Sequence, residues 1–70
     1  MMPLTVARSQ ETAAIVKITG RDEARQHLAE QGFVVGATVT VVSRMSGNLI
    51  VQVKDSRVAL DQSMANRIMI

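Results

Sequence analysis

The chain has no cysteine, tryptophan or tyrosine, and its 70 residues include one proline, one histidine and one phenylalanine. Each shortage removes a class of chemistry. Without cysteine there is no disulfide, no thiolate metal site and no thiol nucleophile, a composition at home in a reducing cytosol. Phe33 is the sole aromatic residue, so there are no stacking platforms of the kind that single-stranded nucleic acid requires. The longest aliphatic run, Ala13-Ala14-Ile15-Val16, falls far short of the roughly 20 apolar residues that cross a bilayer. Met1 to Arg8 lacks a basic segment leading into an apolar stretch, so it does not read as a secretory signal. A cytoplasmic protein with no direct membrane insertion is the expectation.

What charge there is lies scattered. The net charge is +2, and no two of the eight cations (Arg8, Lys17, Arg21, Arg25, Arg44, Lys54, Arg57, Arg67) are adjacent. Electrostatic recognition of nucleic acid needs a clustered basic stripe, so nucleic acid is not an expected partner. At this length folding buries only about 60% of the surface the unfolded chain exposes. The expected unit is one small domain, residues 1–70, with too little core for a deep catalytic cleft.

Patterning predicts a mainly β chain. Leu4 to Ala7 is a short apolar start, and Arg8-Ser9-Gln10-Glu11 is a turn into a first long strand, Thr12 to Thr19. Ala13, Ile15 and Lys17 share one face of that strand and Ala14, Val16 and Ile18 the other, so its register is open. Gly20 ends it. A helix capped by Thr19 or Asp22 then runs to about Gln31, with Asp22 and Glu23 near its positive end and only Ala24 and Leu28 as an apolar stripe. If Gly32 is the left-handed residue after the helix, Phe33 and Leu28 are the pair that meet in a Schellman stop.

Val34 to Ala37 leads into a second strand, Thr38 to Arg44, with Val39 and Val41 facing inward. Ser46-Gly47-Asn48 supplies a hairpin, and Leu49 to Lys54 is a third strand with Leu49, Val51 and Val53 on one face. After a turn at Asp55-Ser56, Arg57 to Leu60 is a fourth strand. Asp61 caps a helical turn through Met64 and Ala65, and Ile68 to Ile70 closes the chain. About five short strands, a short helix between the first two and a helical turn near the C-terminus suggest a small barrel. Its exposed strand edges make an edge-to-edge homo-oligomer a further expectation.

Few residues invite chemistry. His27 lacks a second histidine, a cysteine or a ligand spacing around it, and with Glu23 and Glu30 nearby it reads as part of a solvated helix face. The carboxylates fall in turns, at helix starts or on exposed faces; the serines sit in no nucleophile elbow, and the glycines form no phosphate loop. No catalytic residue, metal ligand or cofactor site is expected, and the chain is not read as an enzyme. Met64 and Met69 are expected in the core. Met45, at the predicted hairpin tip, is either incidental there or a contact: it is flexible and polarizable in the way adaptable binding surfaces use, and with Arg44 and Asn48 it forms the candidate partner-binding group.

Leu28-x-x-x-Gly32-Phe33-Val34-x-Gly36-x-x-Val39-x-Val41, the hairpin at Gly47, Ile50 to Val53, Ala59-Leu60 and Ala65-x-x-Ile68-x-Ile70 together resemble the FeoA family over nearly the whole chain. The resemblance implies an SH3-like barrel and a small cytosolic accessory of FeoB, the membrane GTPase that carries ferrous iron into bacteria. On that reading the chain is a protein-interaction module that binds the cytosolic part of the transporter and modulates iron uptake. The same fold forms the C-terminal domain of iron-dependent repressors, so the alternative implied is a free-standing regulatory or nucleic-acid-binding SH3-like domain. The family usually places Pro-Gly where this chain has Ser9-Gln10, proline at Val35, and glycine near Asp55.

Overall fold

The structure, a computed structural model, describes residues 1–70. Its one substantial helix, α1 (Asp22–Glu30), begins after Arg21, which is extended and offers no side-chain cap. The expected caps therefore do not form. Thr19 Oγ1 donates instead to the Arg67 carbonyl, and Asp22 is the first helical residue, where it and Glu23 lie at the positive end of the helix.

The end of α1 has the predicted geometry. Gly32 takes φ +101; its N–H donates to the Ala29 carbonyl at 3.0 Å, and the Phe33 N–H donates to the Leu28 carbonyl at 2.9 Å. These are the two bonds of a Schellman stop, which satisfy carbonyls that a helix end otherwise leaves open. The reversal sends Phe33 back under the helix, and both Leu28 and Phe33 are fully buried in the same core cluster.

Strands β1 (Thr12–Ala14), β3 (Thr38–Met45), β4 (Asn48–Val53) and β5 (Ser56–Asp61) form an antiparallel sheet in the order β1-β3-β4-β5. A second, two-stranded sheet pairs β2 (Lys17–Ile18) with β6 (Ile68–Met69), and α2 (Gln62–Ala65) joins β5 to β6. The expected strand Thr12 to Thr19 is thus two strands in two sheets. Ile15 still bonds to Gly36 and Ala37, whereas the Val16 N–H donates to the Met69 carbonyl, so the chain changes sheets between them. Apolar groups on both faces could not all be buried by one straight strand. The break buries Ile15 and leaves Val16 half exposed.

The N-terminal residues complete the smaller sheet. Met2 and Ile70 exchange two main-chain hydrogen bonds, Pro3 bridges Met69, and a 3₁₀ turn over Leu4–Val6 follows. Leu4 and Ala7 enter the core, which also takes Ile15, Leu28, Phe33, Val39, Val41, Leu49, Val51, Val53, Leu60, Ala65 and Ile68. Met64 packs against this cluster; Met69 does not belong to it and serves through its backbone. The mainly β, SH3-like architecture is present, but the barrel is not closed: no ladder joins β5 to the smaller sheet.

A bulge in β3 is locked by the first turn. Val41 pairs with Val51 and Ser43 with Ile50, leaving Val42 as the extra residue. The Gln10 N–H donates to the Val41 carbonyl at 2.6 Å and Gln10 Nε2 to the Val42 carbonyl at 2.9 Å. Gln10 itself has φ +72, a conformation that a non-glycine residue adopts at a cost of about 1–2 kcal/mol. Its side-chain bond to the bulge offsets much of that. In the β4–β5 turn the left-handed residue is Lys54, not Asp55. The α2 cap is as expected, with Asp61 Oδ1 accepting from the Met64 N–H at 2.8 Å.

Two outcomes follow from these contacts. Phe33→Ala is expected to cost about 3–5 kcal/mol, most of the stability of a chain this short. At Gly32 an added Cβ would meet Val53 Cγ2 at 3.6 Å, an ordinary contact, so Gly32→Ala is expected to lose about 1–2 kcal/mol from the backbone alone; urea denaturation reads both. By the same measurement Gln10→Ala should lose about 1 kcal/mol, since it gives up the bulge bond and keeps the positive φ, while Gln10→Gly should be nearly neutral.

Candidate functional site

The candidate site is built by the β3–β4 hairpin. Met45 pairs with Asn48, so the loop is only Ser46-Gly47, and both have positive φ, at +34 and +86. That is the requirement of a type I′ turn, whose twist matches the strands it joins. The bulge at Val42 decides what the tip presents. Strict alternation from Val39 and Val41 would turn Met45 inward and Arg44 outward; the extra residue reverses this, pairing Arg44 with inward-facing Leu49 and leaving Met45 62% exposed.

Arg44, turned toward the open end of the barrel, donates through Nη2 to the carbonyls of Thr5, at 2.7 Å, and Ala7. It therefore holds the N-terminal 3₁₀ turn over the core. A planar guanidinium suits this task because it can reach two acceptors from one rigid fork. Arg44 and Asn48 share a shallow depression of about 200 Å³, completed by Thr5, Gly47, Leu49 and Gln62. Met45 projects beside it and does not line it. All three residues singled out in the sequence lie at the hairpin: Arg44 and Asn48 line the depression, and Met45, the cross-strand partner of Asn48, stands beside it.

A second recess was not anticipated. It lies between α1 and the segment that follows it, with Ile18, Ala29, Phe33, Val34 and Val35 providing apolar walls and Asp22, Arg25 and Gln26 a polar rim, and measures about 390 Å³. Val35 is 66% exposed at its mouth. The signal was available: two valines in a turn, where polar residues are the rule, leave apolar surface in water. His27, Glu23 and Glu30 lie on the solvated side of α1, and Asp22 and Arg25 approach at 3.9 Å. No three histidine, cysteine or carboxylate side chains are gathered where they could hold a metal ion. Both recesses are open and shallow, the form of contact surfaces more than of reaction chambers.

Comparison with known proteins gives one consistent result. The FeoA domain family profile matches residues 2–70. The chain is 30% identical over 70 residues to "Putative Fe(2+) transport protein A" of Methanocaldococcus jannaschii, covering all of this chain and 85% of the relative. A crystal structure of an iron uptake regulatory protein (FeoA) is 33% identical, with TM-score 0.87 over 96% of this chain and 89% of its own. The zinc complex of Stenotrophomonas maltophilia FeoA, described as a procaryotic SH3 domain protein, is 29% identical, with TM-score 0.86 over 99% and 88%. A manganese-dependent transcriptional repressor shares the fold alone, at 20% identity and TM-score 0.86, with 38% of its chain covered.

The different duties of Arg44 and Met45 are separable by experiment. Arg44→Met is expected to destabilise the chain by about 1–3 kcal/mol, because two carbonyls lose a charged donor. Met45→Ala, at an exposed tip, should change thermal stability by less than about 0.5 kcal/mol.

Proposed function

The chain belongs to the FeoA domain family, and from that premise we propose that it is a non-enzymatic accessory of ferrous iron transport. Acting as a single domain, residues 1–70, on the cytoplasmic side, it binds the cytosolic part of an FeoB-like membrane GTPase and modulates iron uptake. The observation that carries this reading is the family match across residues 2–70, supported by likeness to FeoA structures over nearly the full length of both chains. No helix is long and apolar enough to cross a membrane, which suits a partner that docks on a transporter and does not join its membrane part.

The docking surface proposed is the hairpin tip, with Met45 as the adaptable apolar contact and Asn48 and Arg44 as polar neighbours. A rigid two-residue turn holds the tip in place, so little conformational freedom is lost on binding. The likeness to a repressor is one of fold and brings no function with it. Dispersed cations and a single, fully buried aromatic residue favour a protein partner over nucleic acid.

Affinity-tagged protein should recover an FeoB-like GTPase from detergent-solubilised membranes, and deleting the chain should change ferrous iron uptake. Met45→Asp should weaken the capture while leaving thermal stability intact. Failure of capture together with unchanged uptake in the deletion strain would end this reading.

A further inference from the structure

The outer edge of β5 carries a self-complementary pattern. Val53 pairs with Ser56 across a two-residue turn, which makes that pair hydrogen-bonded, and alternation along an antiparallel ladder then makes Val51–Val58 and Leu49–Leu60 hydrogen-bonded as well. Arg57, Ala59 and Asp61 therefore point their main-chain groups away from β4. No strand lies there, because β5 ends the sheet and the barrel is open on that side. No main-chain hydrogen bond of a turn, loop or cap uses the N–H groups of these three residues or the carbonyls of Arg57 and Ala59. All three side chains are exposed.

The geometry points to antiparallel pairing of β5 with β5 of a second copy of this chain, on a two-fold axis through Ala59. In that register Ala59 meets Ala59, and Arg57 of each copy meets Asp61 of the other. Every outward main-chain position faces an outward position, and about four inter-chain main-chain hydrogen bonds form. The two charge pairs are of opposite sign. Arg57 donates through Nε to Gln52 Oε1 at 3.1 Å on the outer face, and this bond leaves its two terminal nitrogens available to pair. On the inner face, half-buried Val58 faces Leu60 of the second copy and extends the apolar layer.

Neighbouring registers lose these features. A shift of two residues one way opposes Asp55 to Asp61, and the other way opposes Arg57 to Ser63; larger shifts oppose Arg57 to Arg57 or Asp61 to Asp61. Only the Ala59-centred register joins full main-chain pairing with opposite charges, and the small side chain on the axis leaves room for it. The interface is isologous, so it closes at a dimer. One strand per copy buries far less than a stable interface of about 1,200 Å² or more, so the dimer is weak and concentration-dependent.

Sedimentation equilibrium from about 10 µM to about 1 mM tests this, the concentration range being set to populate a weak dimer. The average mass should rise from the 7.6 kDa of one chain toward twice that value. Ala59→Lys, which sets two lysines together on the axis, and Arg57→Glu, which opposes two carboxylates twice, should each weaken association about tenfold or more. Both positions are exposed, so each variant should keep the parent circular dichroism, and if one fails to fold the other gives the answer. Concentration-dependent amide shifts should be confined to residues 56–61. A monomer mass maintained at about 1 mM, or association that neither substitution weakens, would overturn the proposal.

Discussion

The reversal of the chain at Gly32 is the constraint on which the rest depends. It stops α1, satisfies the carbonyls of Leu28 and Ala29, and places the only aromatic side chain of the molecule at the centre of the core. Phe33 is the largest of the fully buried side chains, and aliphatic side chains from both sheets and the N-terminal turn share its core. A left-handed residue is needed to make the turn. Glycine adopts it without the steric penalty of a Cβ, and the helix end and the core are therefore settled by one position.

A second junction sets what the surface shows. The bulge at Val42 puts Arg44 on the face of Leu49, where it stays exposed but secures the N-terminal turn, and Met45 on the opposite face, where it stands in solvent. Gln10 holds that bulge through both its backbone and its side chain. The residue thus has a reason to occupy a left-handed position without being glycine: it replaces conformational ease with a bond to an otherwise open carbonyl. Core, bulge and hairpin tip are held by contacts at Gly32, Gln10 and Arg44.

Much of this was legible in the residues. The Leu28, Gly32 and Phe33 spacing predicts the helix stop, Ser46-Gly47-Asn48 the hairpin, of which Asn48 proves to be the first residue of β4, and Asp61 the cap of α2, because each is a local device whose geometry depends on a few neighbours. What was not legible depends on distant partners. Thr12 to Thr19 is apolar on both faces, so only the competition between Ala37 and Met69 for its main chain reveals the break. Val41-Val42 likewise conceals a bulge, since consecutive valines fit either register. For the site, the resemblance to the FeoA family agrees with the family match, while the pairing of Arg44 with Thr5 and Ala7 and the recess beside Val34 and Val35 required the fold.

Buried residues build the frame, and the proposed function lies on an exposed surface. Titration of labelled protein with the soluble cytosolic part of an FeoB-like GTPase, followed by amide chemical shifts, tests this most directly. The predicted result is shifts at Met45, Ser46, Gly47 and Asn48 with the amides of Leu28 and Phe33 unmoved. A footprint confined to α1 and Val34-Val35, or no shifts at saturating partner, would contradict it.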